Sequence, residues 1–242
     1  MIQRFLNDIN EVRRILSEQN IGFRHFFLDD AAVNLPDEYP ILVRHQKNKG
    51  LDQILLKGYQ AIFSLKSKTD LIIRIDCQEH DPLKIPFILD HFLHSSTKVI
   101  FLPVCYWIEG NNRPLMKEIT KIMLEFNSAL SPIDRKIILA IYNQKFPMGY
   151  QAFTTDALAI ILPQLKKGVA IFKEKFKEQP RWGLDLLVML VAANQYPKSV
   201  DFVFGGWSKP WLENRGREKI EAQRKQAAKI IEVAVELGCK TI

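Results

Sequence analysis

The stretch TDLIIRIDCQEHDPLKIP, residues 69–86, decides how the chain reads. Leu71, Ile72, Ile73 and Ile75 form a short apolar run, mostly β-branched and interrupted only by Arg74. Such a run predicts a strand buried on both faces, as in a parallel sheet. It stops abruptly at Asp76, Cys77, Gln78, Glu79, His80, Asp81 and Pro82, which together carry three carboxylates and one imidazole. In open α/β sheets ligands meet the carboxyl ends of the strands. Hard oxygen donors placed there suit Mg²⁺ or Mn²⁺ and the phosphates such ions neutralise. A solvated loop, in which Asp and Pro merely stop a strand and start a helix, fits the same residues.

Working outward, the upstream half alternates strands and helices. Residues 2–18 read as an amphipathic helix, with Ile2, Leu6, Ile9, Val12, Ile15 and Leu16 on one side. An aromatic-rich strand over 23–28 ends in Asp29 and Asp30, and a second strand covers 41–44. The turn at 46–50 then opens a helix over 51–64. Downstream, a helix is expected over 87–94 and an apolar strand over 98–104. This alternation with short connections predicts an α/β fold, a mostly parallel sheet with flanking helices.

The remainder is mostly helical: about 113–128 and 132–142, then an interruption at 147–153. Thr154, Thr155 and Asp156 can cap a helix running to Leu165. An apolar helix covers 184–193, a last strand 199–204 and a long charged helix about 217–237. No repeat and no low-complexity linker divides the chain, so a single domain over 1–242 is expected.

Composition bounds the function without choosing it. The 34 basic and 27 acidic residues leave a net charge of +7, which favours anionic partners such as nucleotide phosphates or acidic lipid head groups. The basic residues are spread rather than striped, which speaks against nucleic acid. Cys77, Cys105 and Cys239 are odd in number and lack metal-ligand spacing, as in a reducing compartment. No apolar run is long enough for a membrane span, and the charged N-terminal stretch does not read as a signal peptide. A cytoplasmic protein is expected, with at most peripheral contact at the inner face of a membrane.

Four features come in a telling order. Asp29-Asp30 closes a strand, Asn48-Lys49-Gly50 opens a helix, Asp76 closes the central strand, and GYQAF follows at 149–153. The series resembles the family-2 glycosyltransferases, which have the nucleotide-sugar-binding GT-A fold. Their pattern is a strand ending VDDxS, an NxG turn, a strand ending in DxD, and a later SGFxxF. The resemblance covers roughly residues 7–220. It implies a nucleotide-binding half over 1–110 and an acceptor-side half over 111–242. It also implies that Asp29 and Asp30 hold the base and ribose, that Lys49 and the turn donors lie near the nucleotide, and that Asp76 contacts the nucleotide or its metal.

Gln78 stands where the family has its second Asp, so Glu79 is expected to join Asp76 as the second metal ligand. The segment Arg181-Trp182-Gly183-Leu184-Asp185 resembles the family's acidic helix, and Trp207, Trp211 and Arg215 its loop over the diphosphate.

The reaction implied is inverting transfer of a sugar from a UDP- or GDP-sugar to a saccharide, a polyprenyl phosphate or a small-molecule acceptor. Asp185 is the expected general base, and a helix-start carboxylate favoured by the dipole is its structural alternative. Asp156 is a weaker base candidate because it fits a helix cap. Two other readings stay open. One is a catalytically weak binding or scaffold protein of the same fold, motivated by Gln78 and by the lack of a strand or proline before Asn7-Asp8. The other is a nucleotidyltransferase, although the Gly-rich loop usual after its first strand is not visible.

Overall fold

The computed structural model describes residues 2–31, 35, 39–47, 49–65, 69–75, 81–101, 105–106, 150–181, 183–202, 207–208 and 217–239. The chain is α/β and groups into two compact units, each assembled from three separate segments.

The first unit comprises Met1–Arg24, Leu71–Thr154 and Tyr196–Asn214. Helix α1 (Ile2–Glu18) buries Ile9, Val12 and Leu16, spaced to share one face. These side chains join Ile85, Ile88, Ile100, Tyr150 and Ala152 in a single apolar cluster. Strand β3 is Leu71–Ile75, the run that the sequence marks, but it is not buried on both faces as in a parallel sheet: its burial alternates, and it forms the edge of the described sheet with an antiparallel neighbour. A 3-10 turn, Pro82–Lys84, leads into a helix at Ile85–Leu93. The turn is capped by Asp81, which accepts from the Leu83 N–H at 2.9 Å.

Strands β4 (Val99–Phe101), β5 (Cys105–Tyr106), β6 (Tyr150–Thr154), β7 (Val200–Phe202) and β8 (Trp207–Ser208) complete the unit. The principal sheet has the order β3-β6-β4-β7. It is mixed: β6 is antiparallel to both β3 and β4, whereas β4 and β7 are parallel. Residues 147–153 therefore do not simply interrupt the chain, since Tyr150–Thr154 fills the slot between the two apolar strands. Gln151 hides this in the sequence. It is completely buried, a polar residue in the middle of a strand covered on both faces.

The second unit comprises His25–Asp70, Thr155–Gln195 and Arg215–Ile242. Strands β1 (Phe27–Asp29) and β2 (Ile41–Arg44) form a parallel pair of their own. The strands predicted to share one sheet thus fall into separate sheets. Helix α2 (Leu51–Phe63) packs on both strands. A Cβ at Gly58 would stand 2.5 Å from Leu28 Cδ1, so α2 lies close on β1 and a larger residue there would require the Leu28 side chain to shift.

Numbering Ile85–Leu93 of the first unit as α3, the remaining helices are α4 (Thr155–Phe176), α5 (Leu184–Gln195) and α6 (Arg217–Glu236), which pack on one another. Helix α4 runs well past Leu165 despite Pro163, because Leu165, Val169 and Phe172 continue its buried stripe. Among the described residues no helix is long and apolar enough to cross a membrane. The helices expected over 113–128 and 132–142 lie outside the described residues.

Candidate functional site

Among the described residues, a dense polar arrangement lies where β1 and β2 end. Their register places Asp29 opposite Arg44, so the residues that follow each strand emerge side by side. Asp29 is buried, with one oxygen accepting from the Ala31 N–H at 3.0 Å and the other from Arg44 Nε at 3.1 Å. Arg44 also donates from Nη2 to the Leu35 carbonyl. The Asp29–Ala31 bond closes an Asx-type turn, and Ala31 adopts a left-handed φ of 57° to make it.

Asp30 reaches the other way. Its Oδ1 accepts from His45 Nδ1 at 2.6 Å and from the Lys49 N–H at 3.1 Å, and its Oδ2 accepts from the Gly50 N–H at 2.9 Å. The His45 N–H in turn donates to the Asp29 carbonyl at 2.8 Å. Asp30 thus meets three nitrogens of the chain itself. His45 Nε2 is buried and has no hydrogen-bond partner among the described residues, and neither has the amide nitrogen of Gln53 in the first turn of α2.

Gly50 precedes α2 with φ 91° and ψ 153°, a conformation open essentially to glycine alone. Its missing side chain also makes room: a Cβ there would lie 3.3 Å from Arg181 Cα. This brings the segment before α5 against the start of α2. Asp185 stands in the first turn of α5, half-buried, and α5 packs against α2.

No family model, curated protein or solved structure matches the chain.

Of the expected site residues, Asp29, Asp30 and Lys49 therefore gather at the entrance to α2, with Lys49 contributing its backbone while its side chain stays exposed. The two carboxylates that the resemblance assigns to a nucleoside hold donors of the chain itself. The turn N–H groups expected to face a nucleotide are bound to Asp30. Asp76, Glu79 and Arg215, like Gln78, Asn48 and Trp211, lie outside the described residues. Among the described residues no group of three or more His, Cys, Asp or Glu side chains is arranged to hold a metal ion.

His45 carries no motif. What could have marked it is its place directly after an apolar strand and before a helix-opening glycine, the position at which α/β folds put ligand contacts.

In the first unit, β3 and β6 bring two separately read motifs together. Ile75, which precedes Asp76, is the partner of Tyr150, which follows Gly149. The Tyr150 hydroxyl is pushed well above the usual phenol range, by burial first and then by the charge of Asp81. Elsewhere in this unit, His91 Nε2 lies 2.8 Å from Asp201 Oδ2, and the Thr97 hydroxyl donates to the same oxygen. Hydroxyl and imidazole both meet the carboxylate rather than each other, so this is not a nucleophile relay. It ties α3 to β7.

Proposed function

We propose that the chain is a glycosyltransferase with a mostly parallel, GT-A-like fold, moving a sugar from a UDP- or GDP-sugar to an acceptor hydroxyl or phosphate with inversion. The observation that supports this reading most is the β3–β6 pairing. It sets the residue before the acidic strand end directly opposite the first strand residue of the GYQAF segment, far apart in sequence though they are.

In this reading Asp185 takes the proton from the acceptor, and Lys49 and Arg215 meet the negative charge of the diphosphate. Asp76 and Glu79 would hold Mg²⁺ or Mn²⁺. A divalent ion so bound would supply neutralisation of the charge developing on the leaving diphosphate. The acceptor is a saccharide, a polyprenyl phosphate or a small molecule. The net charge of +7 suits peripheral contact with an acidic membrane surface on the cytoplasmic side.

The test is a thermal-shift panel of UDP, GDP and CDP, with and without Mn²⁺, followed by turnover of the matching sugar nucleotide. A ligand at 100 times its Kd stabilises by about 2.7 kcal/mol, a shift of several degrees for a chain of this size. Absence of any shift across the panel would remove the reading.

A second reading, a weakly active or inactive binding protein of the same fold, is favoured by the engagement of Asp30 with His45, Lys49 and Gly50. Nucleotide binding without donor hydrolysis in the presence of Mn²⁺ would select it.

A further inference from the structure

We propose that the outward face of α4 is a docking surface for an acidic phospholipid bilayer. The inference rests on the peripheral membrane contact proposed above, names the surface that makes it, and does not depend on the transfer reaction. Between Ala159 and Lys177, the helix and the residue that follows it carry five lysines against a single acid, Glu174. Lys175 is engaged by Glu232 at 3.1 Å and Glu236 at 2.5 Å. The other four, Lys166, Lys167, Lys173 and Lys177, are exposed, and among the described residues none of their ammonium groups meets a carboxylate.

Spacing gathers these charges on one side. Pro163, Lys166, Ala170 and Lys173 are all exposed and recur every three or four residues. Lys177 continues the row, its N–H bonded to the Lys173 carbonyl at 3.0 Å. Lys167 flanks the row, and so does Ile160, left 49% exposed. The opposite side of α4 is already committed to the core through Leu158, Ile161, Leu165, Val169 and Phe172. Asp156 and Glu174 are the exposed acids near the two ends of the helix, so positive charge stays in excess. Each lysine close to an acidic lipid surface strengthens attachment about fivefold. Its long stem lets the ammonium reach the head groups while the helix lies flat. Ile160 adds an apolar contact for the bilayer. The exposed residues of α4 include no arginine and no aromatic ring on which a base could stack, which favours lipid over nucleic acid.

The experiment is co-sedimentation of the full chain with vesicles of phosphatidylcholine alone and of phosphatidylcholine mixed with phosphatidylserine. The chain should partition onto the mixed vesicles and leave the neutral ones bare. Salt at about 1 M, where the screening length is about 3 Å, should release it. Combining Lys166→Gln, Lys167→Gln, Lys173→Gln and Lys177→Gln should weaken partitioning at least about a hundredfold. The control combines Lys47→Gln, Lys57→Gln, Lys98→Gln and Lys198→Gln, an equal loss of charge at exposed lysines elsewhere, and should cost less than about tenfold. Ile160→Ser should weaken binding at least about fourfold, the effect of one methylene group. Melting temperatures equal to the parent's would show that the variants fold. Equal losses in the two quadruple variants, equal partitioning onto both kinds of vesicle, or tighter binding to duplex DNA than to the mixed vesicles overturns the role of α4. The thermal shifts with UDP and GDP involve none of these lysines, so they test the transferase reading separately.

Discussion

Asp29 and Arg44 face each other in the register of the parallel β1–β2 pair and are joined there at 3.1 Å, the carboxylate almost fully buried and the guanidinium partly exposed. Removing the carboxylate takes one partner from Arg44 and leaves the Ala31 N–H without this acceptor. Asp29→Ala is therefore expected to lower stability by about 1–3 kcal/mol. A double-mutant cycle with Arg44→Met, followed by urea denaturation, measures the shared part. Additive losses would show that the two side chains do not act together.

Gly50 offers a sharper test of the same corner. Gly50→Ala forces a Cβ onto a backbone at φ 91° and sets it 3.3 Å from Arg181 Cα, an atom that cannot swing aside. Strain in this backbone region costs about 1–3 kcal/mol. Gly22, where a Cβ meets nothing within 4 Å, is the control, and Gly22→Ala should change stability by no more than about 0.5 kcal/mol. Equal midpoints for the two variants would refute the account of Gly50.

For Asp185 two roles predict different losses from one substitution. As a general base it contributes about 10²–10⁴-fold to rate, so Asp185→Asn should collapse turnover while nucleotide affinity holds. As a helix-start acid in the first turn of α5 it contributes about 0.3–1 kcal/mol of stability and little activity. Turnover within about threefold of the parent would assign it to the helix.

The alkaline limb of stability should belong in part to Cys239. Burial raises its thiol from 9.0 to about 11. Between those values the unfolded chain has released the proton and the folded chain still holds it, so stability falls as pH rises through the window. Below 9 the contribution is fully present. Cys239→Ala should flatten the loss between pH 9 and about 11, as read by denaturant midpoints across that range. An unchanged slope would mean that other groups carry it.

The sequence displayed those parts of the fold whose burial is one-sided or continuous. The apolar run of β3, the periodic faces of α1 and α2 and the apolar α5 all lie where residue pattern places them. Strand β6 was illegible because its flanking Pro147 and Gly149 read as a break and because Gln151 carries no sign of being buried. Helix α4 extends beyond its expected end at Leu165 because the apolar spacing continues through Val169 and Phe172.

At the site, the positions of Asp29, Asp30 and Gly50 could be read, but not their partners. Carboxylates look the same in sequence whether they await a ligand or bind a neighbouring backbone. The pairing of Asp30 with His45 and Gly50 depends on three-dimensional closure of the β1, β2 and α2 ends. The absence of any visible boundary also has a physical reason, since each compact unit draws on three stretches of chain.

The position of β6 also bears on when the strands can pair during synthesis. Among the described residues, strand β3 finds no neighbour in its sheet until Tyr150–Thr154 has been synthesised, and Val99 likewise waits for Phe153 before it meets Val200. Loop-closure entropy must be overcome before such distant pairings give any return, so this sheet belongs to the slow, late phase of folding. During translation the run Leu71–Ile75 emerges with unpaired edges and high β-propensity, a natural substrate for chaperones and a seed for aggregation when they are scarce.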